Sequence, residues 1–192
     1  MISSQNISLI LWVIWEIYWL ISARNRIQGT REAEAVSESR LGRVGYMCLL
    51  IIGFTLLFFK VGAVNFAHVP WPVISAQSIV GLSIQVVGLG FAVWARRTLG
   101  KNWTGRITTG GSQELVMRGP YRLVRHPIYS GLLLAVLGTA IVMGKWHTFL
   151  GFVLITIAVL IKLRREEAAL RAHFGGAYLE YARQVPLLLP GL

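Results

Sequence analysis

Residues Gly119-Pro-Tyr-Arg-Leu-Val-Arg-His-Pro-Ile-Tyr-Ser-Gly131 decide how this chain is read, because a polar, proline-stiffened segment there meets an apolar run. From Ile128 the chain stays apolar to Gly144, and a second apolar run, 146–163, follows after Gly144 and Lys145 alone. At about 1.5 Å per residue each run reaches roughly 25 Å as a helix. That is just short of a hydrocarbon core of about 30 Å. Two such runs with so short a joint predict a tight antiparallel helical hairpin. The polar clusters on either side of it, ending at Pro127 and resuming at Lys162, are therefore expected to be neighbours in space.

Working outward, the composition agrees with a membrane reading. The 192 residues are 55% hydrophobic and only 14% charged, against about 25% charged in an average soluble domain. Three more apolar runs precede the hairpin, at about 7–23, 44–59 and 73–95. The expected fold is an all-α integral membrane protein with five transmembrane helices, at about 7–23, 44–59, 73–95, 128–144 and 146–163. The fourth and fifth form the tight hairpin, and a cytoplasmic C-terminal amphipathic tail covers 164–192. All of it reads as a single membrane domain.

Orientation follows from charge. Of 19 Lys and Arg, 17 fall after the first, third and fifth runs, and the net charge is +11. The positive-inside rule then puts the N-terminus outside and the C-terminus in the cytoplasm. Basic residues in short loops suit anionic headgroups rather than nucleic acid, and the short loops fit a bacterial inner membrane. No cleavable leader is expected, since arginines and not a small-residue site follow the first run. Cys48, the single cysteine, lies within an apolar run and offers no disulfide framework. His68 and His147 are expected on one side and His126 and His173 on the other, so no metal site is read.

Within the spans, Trp12, Trp15, Tyr18 and Trp19 suit an interfacial aromatic belt. Glu16 is costly in a span and therefore a functional hint. Gly81, Gly88 and Gly90 would let a neighbouring helix or a ligand approach the third span.

Two clusters could carry chemistry. Pro127 is well placed at a first helical position, where its missing N–H would have no partner. His126 would then cap the helix, where exposed N–H groups and the dipole favour an anion. Arg118, Arg122 and Arg125 strengthen that preference; Arg118 and Arg122 read as headgroup anchors, while His126 and Tyr129 are of types that anchoring does not need. In the second cluster Lys162, Glu166 and Glu167 leave the fifth span, followed by His173, Tyr178 and Tyr181. Lys162 and Glu166 share a helix face and could pair. With eight acidic residues in the chain, two adjacent ones at a membrane exit stand out.

Taken together these pieces resemble the isoprenylcysteine carboxyl methyltransferases and the related phospholipid methyltransferases. The matching residues are Asn102-Trp103, Glu114-Leu-Val-Met-Arg-Gly-Pro-Tyr121, Arg125-His-Pro-Ile-Tyr-Ser-Gly131, Glu166-Glu167, Phe174-Gly-Gly-Ala-Tyr-Leu-Glu-Tyr181 and Val185-Pro186. They cover about 88–190 in order and spacing, which would be the catalytic part. The resemblance implies S-adenosyl-L-methionine as cofactor and a membrane-embedded, lipophilic or prenylated acceptor. It implies cofactor contacts at Gln113, Glu114, Leu115, Val116, Tyr121, His126, Pro127, Ile128, Tyr129, Glu166 and Glu167. Gly88 and Gly90 match a glycine pair of the phospholipid branch. Arg125 and Lys162 are the implied catalytic residues, and Lys162 stands where carboxyl-methylating relatives carry Arg, keeping the charge but losing the bidentate fork.

The acceptor stays open between a prenylcysteine carboxylate, a lipid amine and another small apolar molecule. A carboxylate needs no general base; an amine must first lose a proton. Two other classes remain: a sterol-type reductase using NADPH on a similar scaffold, and a non-catalytic protein whose basic loops hold anionic lipid.

Overall fold

A computed structural model describes residues 3–23, 40–58, 75–100 and 114–190. Among them every regular element is helical: α1 (Ser4–Ala23), α2 (Arg40–Phe58), α3 (Ser75–Leu99), a 3-10 turn (Gly119–Arg122), α4 (Pro127–Met143), α5 (Trp146–Phe174) and α6 (Gly176–Gln184). By length and hydropathy α1, α3 and α5 can each cross a membrane, while α2 and α4 are shorter apolar helices. The chain is an integral membrane protein. Most of the charged segment expected after the first span, and residues 101–113 of the one expected after the third, lie outside the described residues.

The hairpin forms as expected. Gly144 ends α4 with φ 61°, a left-handed conformation that favours glycine, and its N–H bonds to the Ala140 carbonyl at 2.9 Å. Lys145 is extended, and Thr148 donates from its hydroxyl to the Lys145 carbonyl at 2.6 Å to open α5. The last carbonyls of α4 have no partners within the helix. Gln77 of α3 reaches one of them, donating to Ile141 at 2.7 Å.

The fifth helix differs from expectation at its far end. It does not stop near 163 but continues to Phe174, 29 residues in all, so residues 164–174 of the expected tail belong to the same helix. Residues 164–174 are mostly good helix formers, such as Arg, Glu, Ala and Leu. Polarity changes the solvent a helix prefers and leaves its backbone intact; the break waits for Gly175.

Packing pairs α3 with α4 and α2 with α5, with α1 laid over α3 and α4. The α3–α4 seam is built on glycine. A Cβ on Gly88 would lie 2.5 Å from the Gly131 carbonyl oxygen, and one on Gly138 would lie 2.5 Å from the Gln85 nitrogen. Backbones that close leave no room for any side chain, which is how helices associate where lipid supplies no hydrophobic drive. By contrast a Cβ on Gly90 would meet nothing within 4 Å.

On α1, Trp12 and Trp15 are not part of a belt. Trp12 and Trp15 are buried in the core with Leu57, Leu89, Val136 and Ile155. Trp12 donates its indole N–H to the Thr139 hydroxyl at 2.9 Å, and Trp15 stacks on Trp19. Belt and core tryptophans share a residue type; the difference lies in which helix face they occupy. Glu16 is on an exposed face of α1. Ile10, Ile14, Ile17 and Ile21 of α1 are also exposed, as are Ile79, Val80, Val86 and Val87 of α3, as lipid-facing positions should be.

Candidate functional site

The hairpin returns α5 beside the start of α4, and the two polar clusters meet. Pro127 opens α4 and His126 is its N-cap, with only 7% of the residue exposed. Two carboxylates flank its ring. Nε2 lies 2.7 Å from Glu167 Oε1, and Nδ1 lies 3.8 Å from Glu166 Oε2. Adjacent glutamates on one helix stand about 100° apart around its axis, so each takes a different side of the same imidazole.

Glu167 is the more deeply enclosed. Its Oε1 accepts from His126 Nε2–H and from the Tyr178 hydroxyl of α6. Its Oε2 lies 3.4 Å from Arg125 Nη2 and 3.5 Å from Arg171 Nη2. Arg125 also donates through Nη1 to the Ala182 carbonyl at 3.0 Å. A buried carboxylate is tolerable only with such partners. Glu166 is more open: Tyr129 donates its hydroxyl to Oε1 at 2.6 Å, and Lys162 Nζ is 3.8 Å from the same oxygen. Lys162 also stands 5.4 Å above the Tyr129 ring, within cation–π reach.

The C-terminal segment closes over this arrangement. Arg125 N–H donates to the Pro186 carbonyl at 2.8 Å and His126 N–H to the Leu187 carbonyl at 3.1 Å. The Ser130 hydroxyl donates to the Leu188 carbonyl at 2.6 Å. Tyr181 of α6 donates its hydroxyl to the Tyr121 carbonyl at 2.7 Å, holding the 3-10 turn. Burial holds the Tyr178 phenol well above the ordinary tyrosine range, with the Glu167 hydrogen bond and charge adding to it. Burial pushes Tyr181 up to about 12, Arg125 opposing and Glu167 reinforcing. Tyr121 is raised by burial, with Tyr181 next. All three phenols are therefore donors near neutral pH and not bases.

Of the residues singled out from the sequence, Arg125, His126, Tyr129, Lys162, Glu166 and Glu167 form one connected cluster. Pro127 is buried beneath it and Ile128 is half-buried beside it. Glu114, Leu115 and Val116 line a concave surface of their own with Met117 and Arg118. Gln113, Asn102 and Trp103 lie outside the described residues. Gly88 belongs to the helix seam. Sequence reading placed Tyr178 and Tyr181 in the second polar cluster without a role; their spacing of three puts them on one face of α6, and both are buried. The Pro186, Leu187 and Leu188 carbonyls left no signal at all, since any residue type would offer them.

The family model described as phospholipid methyltransferase matches residues 76–177, more than half of the chain. A probable protein-S-isoprenylcysteine O-methyltransferase of Oryza sativa subsp. indica is 35% identical over 116 residues, 59% of this chain and 61% of that protein. The chain thus matches somewhat under two thirds of the length of these relatives. Methanethiol S-methyltransferase 2 of Bradyrhizobium diazoefficiens is 44% identical over 73 residues, 38% of this chain and 27% of that protein. Among solved structures, the eukaryotic intramembrane Ras methyltransferase ICMT (isoprenylcysteine carboxyl methyltransferase) superposes with a TM-score of 0.54 at 22% identity. That match covers 81% of this chain and 54% of the other, and it bears on the fold alone.

Proposed function

The chain belongs to the phospholipid methyltransferase family, and from that premise we propose that it is a methyltransferase using S-adenosyl-L-methionine. It acts on a lipophilic acceptor at the cytosolic membrane face, by carboxyl O-methylation of an isoprenylcysteine-like substrate. The five helices α1 to α5 span the bilayer, with the N-terminus outside and the polar cluster on the cytoplasmic side.

The observation that carries this reading is the open carboxylate of Glu166 beside Lys162 and Tyr129, at the mouth of the hairpin. The acceptor set fits the cofactor's chemistry: an ammonium and ribose hydroxyls call for acceptors, and Glu166 Oε2 lies 3.8 Å from His126 Nδ1. Glu166 and His126 would hold its polar end, with Tyr121 beside it, and Glu114, Leu115 and Val116 would contribute from their own concave surface. When bound, this cofactor supplies an electrophilic methyl group on a sulfonium. The protein's part is to align the acceptor with it and to exclude water from the nucleophile. Lys162, about a third exposed at the apolar end of the cluster, would attract an anionic acceptor as a point charge and without the fork of an arginine. The buried phenols stay protonated and offer no base, and a carboxylate acceptor needs none.

Purified protein in detergent, incubated with methyl-labelled S-adenosyl-L-methionine and a farnesylated cysteine bearing a free carboxylate, tests the reading. Label that base releases as methanol is expected. No transfer, together with no saturable cofactor binding, overturns it. A small thiol is the second acceptor class, favoured by the 44% identical stretch shared with a thiol methyltransferase; base-stable label on a thiol would select it.

A further inference from the structure

The sequence resemblance treats Glu166 and Glu167 alike, as cofactor contacts, but the structure separates them. Glu167 is 7% exposed and its carboxylate is surrounded by groups of this chain: His126 and Tyr178 on one oxygen, Arg125 and Arg171 near the other. It faces inward. A carboxylate accepts and does not donate, so the 2.7 Å contact requires a proton on His126 Nε2. In a neutral imidazole the other nitrogen is then an acceptor. That nitrogen, Nδ1, is the one on the Glu166 side. The histidine backbone is fixed as well, by its N–H to the Leu187 carbonyl and by the neighbouring Arg125 N–H to Pro186.

We propose that Glu167 and Tyr178 are positioning residues, which hold His126 as the Nε2–H tautomer with Nδ1 turned toward Glu166. Nδ1 and Glu166 Oε2, 3.8 Å apart, then form a two-acceptor seat for a single donor group. A lone pair facing a carboxylate at that distance is unfavourable by itself and is relieved by a cation or N–H donor placed against both. This inference rests on the functional reading above, in which the donor is the ammonium of the cofactor. Tyr178 acts one step further out: its hydroxyl occupies Glu167 Oε1 together with His126 and keeps that oxygen from turning to another partner. Neither residue touches cofactor or acceptor.

The test begins without cofactor. Protein carrying 15N-labelled histidine is examined in detergent at neutral pH, with His126→Asn used to assign the His126 resonances. Two-bond 1H–15N correlations of an Nε2–H imidazole are expected; an Nδ1–H ring, or one protonated on both nitrogens, overturns the proposal. Glu167→Gln retains an acceptor oxygen, and should keep the tautomer and cofactor affinity within about threefold. Tyr178→Phe removes one hydrogen bond to a charged group and should weaken affinity by about tenfold, with increased Nδ1–H signal. Glu167→Leu should lose the tautomer outright; if that variant does not fold, the Gln and Phe variants decide. Wild-type affinity in Tyr178→Phe with an unchanged tautomer overturns the role of Tyr178. If the wild-type ring is Nε2–H but S-adenosyl-L-methionine does not bind, the positioning pair stands and the functional reading fails.

Discussion

The α3–α4 seam runs along α4 from Gly131 to Gly138, and the His126–Glu167 cluster stands at the start of the same helix. Both bring α4 against a neighbour, and both depend on residues that look ordinary in isolation. At the seam, Gly88, Gly131, Gly81 and Gly138 contribute nothing except the absence of a side chain, and backbone meets backbone. At the cluster, His126, Glu167 and Tyr178 contribute specific donors and acceptors, each used once or twice. The seam tolerates no added atom; the cluster tolerates no lost one. The difference teaches that α4 is fixed in position by shape inside the membrane and in chemistry by hydrogen bonds at its end.

Substitutions can break that contrast. The largest effect is expected at Glu167→Leu, which leaves His126, Tyr178 and Arg125 buried without their shared acceptor. Breaking such a pair costs about 3 kcal/mol or more, read as a fall in the thermal unfolding midpoint in detergent. A stability equal to wild type would mean the cluster is wet and loosely held. Next is Gly88→Ala. One methyl group, placed 2.5 Å from the Gly131 oxygen, must push two backbones apart. About 1–3 kcal/mol of stability should be lost, with Gly131→Ala behaving alike and the double variant showing less than the sum, since one displacement serves both.

A smaller effect sharpens the cluster side through pH. Tyr181 is raised to about 12 by burial, above an ordinary value of about 10. A raised phenol favours the folded state while it is neutral. The stability it contributes is therefore complete below pH of about 10 and is lost as pH rises through its folded value of about 12. Tyr181→Phe should flatten the decline of the unfolding midpoint over that window while costing about 1 kcal/mol at neutral pH for the lost bond to Tyr121. An unchanged alkaline decline would show that the ring is not enclosed. The smallest effect is expected at Gly90→Ala. Its Cβ would meet nothing within 4 Å, so stability should stay within about 0.5 kcal/mol of wild type. Loss of cofactor binding in that variant with stability unchanged would give Gly90 the ligand role that the family resemblance suggests.

Much of the fold was legible because its signals are local. The apolar runs, the Gly144-Lys145 joint and the proline at the start of α4 all act within a few residues of where they stand. The far end of α5 was not legible in the same way: hydropathy marks where Lys162 meets a polar medium, whereas the helix ends only at Gly175. Trp12 shows the same limit, because hydropathy cannot say which side of α1 faces protein and which faces lipid. For the site, His126, Tyr129, Lys162 and Glu166 were identifiable from scarcity and position. The Pro186 and Leu187 carbonyls that hold the His126 segment were not, since a backbone acceptor has no residue type to read.

By itself the sequence determined that the chain is helical and membrane-bound, that two polar clusters flank a short hairpin, and which residue types are available there. Those properties follow from composition and from spacing along one chain. Only the tertiary structure decided that Glu166 is open and Glu167 enclosed, and that Gly88 serves the seam while Gly90 stands free. Neighbouring residues of one type differ only in the direction they face, and direction is settled when α3, α4, α5 and α6 pack together.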